Sequence, residues 1–465
     1  MPARLSILLL AIAGGALPWA APADAALPAG HALAREIYAE LVALPTTART
    51  GTTAAAEALA ARFRAAGFAD DDVVLAGPSA DKQNLFVRLR GSGEAPAIGF
   101  LAHLDVVEAL PEAWSVEPYV LTERGGWFYG RGTVDMKNGA AALAAALIRL
   151  KREGFVPKGD FVAAFTADEE NGGPGNGVFW MLGERRDLFD VPYVVNLDGA
   201  GIMREDGAPT RMGIAVAEKT YATYALTVTS PGGHSSRPGA DNAIYRLAAA
   251  LLALERHAFP VRLNEGSRAM LEETARRRGG PLAEDLRAIA AGAADEAAVA
   301  RVSADPFLNA VLRTTCVATL LQAGHAENAL PMRARATVQC RLAPGEDAAE
   351  MPAALAAVVA DPRVEVSVAF EPLSAPASPL DPAVRAAAEA VVAQLWPGLP
   401  VMPTMQVAST DSSLLRAAGI PTYDVNGFAV DVEDNRAHGR DERLGVESFY
   451  QGVEFQYRFM KALSE

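Results

Sequence analysis

Positive charge is in deficit. The chain carries 42 Lys and Arg against 56 Asp and Glu in 465 residues, a formal net charge of −14. That balance argues against nucleic acid and anionic membranes as partners. It does not make the substrate cationic, because bound metal ions would reverse the sign locally. Cysteine is scarce: Cys316 and Cys340 are the only two, so at most one internal disulfide can form. Histidine numbers six, few enough to weigh each one. Beyond the N-terminal segment there is no long apolar run, which excludes a helical membrane domain from the body of the chain. Internal repeats and low-complexity tracts are also missing, apart from a general richness in alanine.

A chain of this length exceeds one ordinary core, so two domains are expected. Hydrophobic residues make up 51% and charged residues 21%, the balance of a soluble globular enzyme. The N-terminus stands apart. Arg4 precedes the apolar stretch Leu5 to Ala13, followed by Gly14-Gly15 and then Ala23-Asp24-Ala25. This reads as a secretory signal over residues 1–25, cut before Ala26. The alternative, a single membrane anchor, needs ~20 apolar residues, and the run is shorter. With an Ala/Arg/Gly-rich composition of bacterial character, the expectation is export to the periplasm, with no membrane contact after cleavage. Cys316 and Cys340 lie on two β-like runs, 314–321 and 332–342, that would face each other as a hairpin. A cross-strand disulfide and two buried thiols are both open.

The most informative stretch is Ile98-Gly99-Phe100-Leu101-Ala102-His103-Leu104-Asp105. A short apolar run of this kind is a strand buried on both faces. Alternation points His103 and Asp105 to one side. Two other runs repeat the pattern: 161–166 leads into Asp168-Glu169-Glu170, and 193–197 into Asp198-Gly199. A lone acidic triplet is most simply a solvated turn. Three strands delivering acids to one carboxyl edge, where open α/β sheets put their ligands, point instead to a divalent-cation site. Asp135, between a Gly-rich segment and the Ala/Leu helix 140–150, would by itself be an N-cap; beside those strand ends it reads as a ligand.

His31 and His257 fall in helices without polar company and His325 in a turn, whereas His103, His234 and His438 sit in acid- or Gly-rich surroundings. Two neighbouring cations need terminal ligands on each side and one shared carboxylate. His103, Asp135, Glu170, Asp198 and His438 supply that set, with Asp135 as the bridge. Such a pair polarises a carbonyl and acidifies a bridging water. Glu169, adjacent to a ligand but pointing elsewhere, suits a general base that returns the water proton to the leaving nitrogen. Asp105 would fix the His103 tautomer.

After Asp198 the pattern changes to β-α-β-β-α-β, a ferredoxin-like unit interrupted by a charged helical insertion that is expected to cover the small domain. The expected organisation is a catalytic domain in two segments, 26–216 and 374–465. Between them lies a lid domain, 217–373, carrying the insertion at about 258–310. Ser409-Thr410-Asp411 looks like a cap for a short helix that follows.

Taken together, the sequence resembles the dinuclear-zinc exopeptidases of the aminoacylase, carboxypeptidase S and glutamate carboxypeptidase family. The matching pieces are His103-Leu104-Asp105, Tyr129 to Lys137, Thr166 to Glu170, Gly233-His234-Ser235-Ser236, Glu327 to Pro331, Arg341 and Ala437 to Glu442, in family order. The insertion and the C-terminal loop most resemble the carboxypeptidase S-like branch. The resemblance implies a mixed-sheet α/β catalytic domain with an inserted ferredoxin-like α+β lid, and two Zn2+, with Co2+ or Mn2+ also suited to the ligands. It carries the five ligands, Glu169 and Asp105 over in the roles given above. It also implies that His234 donates to the oxyanion, usually from a partner's lid, that Asn328 positions substrate, and that Arg341 pairs with the substrate's free carboxylate. The implied substrate is a small peptide or N-acyl amino acid, and the implied assembly a homodimer through the lid. Asp198 is followed by Gly199-Ala200-Gly201, where the family often has paired glycines; this says little about substrate. Two alternatives compete: an aminopeptidase or dipeptidase of the related dinuclear class, and a metal-binding dimerisation protein without catalysis, against which Glu169 argues.

Overall fold

Runs with no polar alternation need cover on both faces, and the structure supplies it. In this computed structural model, which describes residues 27–199, 201–370, 373–431 and 433–465, strands Ile98–His103 and Phe161–Thr166 are buried throughout and pair in parallel. They form the middle of a mixed sheet. Asn84–Leu89 pairs antiparallel with Phe161–Thr166, and Val194–Asn196 pairs in parallel with Ile98–His103. Beyond these come Thr422–Asp424, Ala208–Glu218, Ile202–Glu205 and Ala429–Asp431, with Val401–Gln406 paired to Ala208–Glu218. Helices Ala29–Ala43, Thr53–Ala65, Lys137–Arg152 and Val446–Leu463 fill one side; Val178, Met181 and Leu415, from helices Gly177–Glu184 and Ser412–Ala417, pack on the other. The Lys137–Arg152 helix is nearly all buried, and its run of alanines lets it lie close on the sheet.

A second, four-stranded antiparallel sheet runs in the order Thr315–Ala323, Arg333–Leu342, Thr220–Thr229, Val364–Phe370. Its period-two alternation buries Ala222, Tyr224, Leu226 and Val228 beneath helices Ala243–Arg256 and Met351–Val359. The opposite face carries Tyr221 and Arg341. Cys316 and Cys340 are directly opposed across two of these strands and form a disulfide.

The helical insertion is not where the sequence suggested. Its helices Glu265–Arg278, Gly280–Ala290, Glu296–Ser303 and Pro306–Leu312 send Met270, Leu271, Ala275, Leu286 and Ile289 into the core of the large sheet, not over the small one. Helix Glu265–Arg278 lies against strand Val401–Gln406 so closely that a Cβ on Gly266 would sit 2.3 Å from the Thr404 carbonyl oxygen. The amphipathic pattern defined a buried face but not its partner.

Two consecutive buried residues mark where the chain first passes between the sheets. Glu218 accepts hydrogen bonds from Thr410 and pairs with Arg416 at 3.2 Å. Lys219 donates to the carbonyls of Ala310 (3.1 Å) and Arg313 (2.8 Å) and to the Thr315 hydroxyl (3.1 Å). Among the described residues no helix is long and apolar enough to cross a membrane. The expected signal sequence, 1–25, and Ala200 lie outside the described residues.

Candidate metal centre

The carboxyl ends of the central strands converge with two loops. His103 closes its strand, Asp198 follows Val194–Asn196, Glu170 follows Phe161–Thr166, Asp135 precedes helix Lys137–Arg152, and His438 comes from the loop before Arg443–Gly445. His103 Nε2 lies 3.0 Å from Asp135 Oδ1 and 3.9 Å from Asp198 Oδ2. His438 Nε2 lies 3.1 Å from Asp135 Oδ2 and 2.9 Å from Glu170 Oε2. Two triads result, His103–Asp135–Asp198 and Asp135–Glu170–His438, each with donor atoms within 4.8 Å of one another and both sharing Asp135. The N and O donors, three carboxylates among them, fit a hard or borderline divalent cation in each triad.

The electrostatics agree with that fit. Burial pushes the carboxyls of Glu169, Asp198 and Glu170 upward, and the neighbouring acids add to it. Burial opposes a charged His103, but Asp105 and Asp135 raise its pKa well above the ordinary imidazole value. Hydrogen bonds to Asp135 and Glu170 push His438 up to about 10. So many acids in a buried space demand compensating positive charge.

Glu169 is partly buried among the same groups, feeling His103, Asp411, Asp198 and Glu170. Asp105 does more than the sequence suggested. The His103 Nδ1 atom is 3.1 Å from the Asp105 backbone carbonyl and 3.5 Å from its carboxylate. The carboxylate itself accepts the backbone amides of Glu169 (3.1 Å) and Glu170 (3.0 Å), so it holds the acidic turn in place. Asp168, the third acid of that turn, is buried against Lys82.

His234, Asn328 and Arg341 belong to neither triad. His234 is exposed on the short strand Gly233–His234, paired with Ala329–Leu330, and its Nδ1 accepts the Ser236 amide at 3.2 Å, which leaves Nε2 as the donor. The Asn328 carbonyl accepts the Ser235 amide at 3.0 Å, tying the two motifs together. Arg341 is opposite Tyr221 in the sheet, its guanidinium 4.8 Å from the ring centre, and it forms no salt bridge among the described residues. Tyr221 in turn packs edge-on with Phe370 at 5.6 Å.

The sequence profile of peptidase family M20/M25/M40 matches residues 99–462, from strand Ile98–His103 to the last helix. The chain belongs to this family. It is 31% identical over 373 residues to the human N-fatty-acyl-amino acid synthase/hydrolase PM20D1, covering 78% of this chain and 73% of that one. It is also 31% identical over 377 residues to the Dictyostelium discoideum protein named probable carboxypeptidase S-like 2, covering 77% and 70%. Among solved structures, an M20 metallo-carboxypeptidase from Sulfolobus solfataricus superposes with a TM-score of 0.70 at 18% identity, over 93% of this chain and 99% of that one. Human carnosine dipeptidase 1 does so with a TM-score of 0.64 at 16% identity, over 93% and 96%. The mixed α/β fold is thus that of the M20 peptidases, and the chain is a hydrolase of amide bonds.

Some residues of this M20 site had no sequence-level signal. Ser409-Thr410-Asp411 was read as a helix cap, and Thr410 Oγ1 does accept the Ser412 amide, whereas the Asp411 carboxylate accepts Asn176 Nδ2 (2.6 Å) and Thr166 Oγ1 (3.3 Å). Burial pushes Asp411 up to about 6. Behind it, buried Arg416 joins Glu218 to Asp424 (3.0 Å), and Ser412 bridges Asp424 to Asn196, whose side chain accepts the Asp198 amide. Acids and an arginine in a stretch this mixed look solvent-facing until the tertiary fold covers them.

Proposed function

We propose that this chain is a two-zinc hydrolase that cuts the amide bond of an N-acyl amino acid or small peptide next to a free C-terminal carboxylate. The observation that carries the reading is Asp135 shared between two His–carboxylate triads, with Glu169 partly buried beside both. His103, Asp135 and Asp198 would hold one ion, and Asp135, Glu170 and His438 the other. When bound, the ions polarise the scissile carbonyl and make an attacking water more acidic. Glu169 takes the water proton and delivers it to the leaving nitrogen. Asp105 keeps Glu169 at its post through the turn amides. Arg341, unpaired and half-buried, binds the substrate carboxylate, and Asn328 orients the substrate.

His234 offers Nε2–H to the developing oxyanion. Its exposed place outside the cluster fits delivery from the lid of a second copy. Strand Thr315–Ala323 is an edge with Val317, Leu320 and Leu321 exposed, which suits pairing with such a copy. The domain limits given above, export by the signal sequence and a periplasmic location complete the reading. The lid with Arg341 favours it over the aminopeptidase alternative, which has no use for a carboxylate anchor.

The test is release of free amino acid from N-acyl amino acids and N-blocked dipeptides by the purified protein. The reading expects hydrolysis that a chelator abolishes and Zn2+ restores. Glu169→Gln should lower kcat by about 10²–10⁴-fold with metal content unchanged. Activity only on substrates with a free amine, or activity indifferent to chelation, would overturn it.

A further inference from the structure

Glu442 ends the same motif as His438, and nothing above uses it. It is fully buried. Its Oε1 accepts the backbone amides of Val134 (2.6 Å) and Asp135 (3.1 Å), and its Oε2 accepts the Gly132 amide (3.1 Å) and Arg131 Nη1 (2.6 Å). The circuit closes on the other side. Arg131 Nη2 donates to the carbonyls of His438 (3.3 Å) and Gly439 (3.1 Å), and the Gly130 amide donates to the Glu442 carbonyl (3.1 Å). One carboxylate and one guanidinium thus fasten the loop that delivers Asp135 to the loop that delivers His438.

His438 needs such a fastening. Its φ of +63° is in the left-handed region, as is that of Asp441 at +52°. Non-glycine residues persist there only where surrounding contacts over-determine them. The Arg131 bonds to the His438 and Gly439 carbonyls are contacts of that kind. The remaining ligands are anchored differently. His103 closes a central strand and Asp198 follows its parallel neighbour, while Glu170 is held by Asp105.

We infer that Glu442 is a positioning residue that, through Arg131, sets the second of the two cation positions, Asp135–Glu170–His438. This rests on the two-ion reading above. Without the clamp, that position loses the anchorage of two of its three ligands, whereas the first loses only that of Asp135 and keeps His103 and Asp198 on the central sheet. A buried ion pair that served stability alone would be weak, because desolvation offsets much of its attraction. A pair that fixes two loops in register has a reason to be charged.

The test is titration of the metal-depleted full chain with Zn2+ against a competing chelator, followed by calorimetry, for the wild type, Glu442→Gln and Arg131→Lys. The wild type should take two ions. Glu442→Gln should weaken the uptake of one ion at least tenfold more than that of the other. Arg131→Lys keeps a cation for Glu442 but lacks the second arm, so it should show the same selective loss in smaller measure. If Glu442→Gln does not fold, Arg131→Lys decides. Two ions at wild-type affinity in the folded variants, or equal weakening of both, would overturn the inference. A wild type that takes only one ion would sink the two-ion reading itself.

Discussion

Asp135 gives one carboxylate oxygen to each of two histidines: Oδ1 is 3.0 Å from His103 Nε2 and Oδ2 is 3.1 Å from His438 Nε2. Asp135→Ala removes the group common to both triads. Both ions should be lost, and kcat/KM should fall on the order of 10³-fold or more, since metal charge stabilisation amounts to several kcal/mol. Elemental analysis of the gel-filtered variant checks this. Two ions retained per chain would rule out the shared role.

His438 predicts a proton count. In the metal-free protein Asp135 and Glu170 raise it from 6.5 to about 10. A raised folded-state pKa contributes stability that is complete below about pH 6.5 and is lost as pH rises to about 10. The metal-free protein should therefore lose that increment over this window. At pH 8 a cation must displace the proton before the imidazole can bind it. Calorimetry in buffers of different ionisation enthalpy should show net proton release on metal uptake, and His438→Ala should reduce it.

Arg341 should act on binding and not on turnover. Arg341→Ala should raise KM roughly ten- to a hundredfold, the worth of about 1.5–3 kcal/mol of charge-assisted hydrogen bonding, with kcat changed far less. Arg341→Lys should recover only part, because a lysine lacks the planar fork. Substrates with an amidated C-terminus should respond to neither change. Equal losses across both substrate sets would remove the carboxylate role.

The Cys316–Cys340 bridge should contribute to stability. It links positions 24 residues apart, and a loop of that size corresponds to about 3 kcal/mol in the chain-entropy account. Differential scanning calorimetry of the Cys316→Ser, Cys340→Ser double variant should show a lower Tm than the oxidised wild type. Reductant should shift only the wild type. Identical unfolding of the two proteins would mean the thiols are not joined in solution.

Three of the proposed ligands were legible in the sequence because an apolar run leads into each: His103 ends one buried strand, and Asp198 and Glu170 follow two others. Asp135 and His438 were legible because glycines and acids flank them. The triplet Ser409-Thr410-Asp411 does cap its helix, through Thr410, but only the fold shows Asn176 and Thr166 donating to the Asp411 carboxylate. Glu218 lies far along the chain from Arg416 and Asp424, so no local pattern announces that the three meet. The insertion failed for another reason. Periodicity in 265–278 gives the apolar stripe through Met270 and Leu271, but both sheets offer an apolar surface. Choosing between them took the close approach of Gly266 to strand Val401–Gln406.

Glu218 and Lys219 are adjacent, yet one is held by Arg416 and Thr410 and the other by the carbonyls of Ala310 and Arg313. A single peptide unit is thereby gripped from two directions, and it cannot serve as a loose tether. Flexing of the small sheet at this crossing would begin beyond Thr220, next to Tyr221 and its sheet partner Arg341. Arg341, the proposed carboxylate anchor, would then move little while the far end of the small sheet, beside which His234 lies, travels the larger arc.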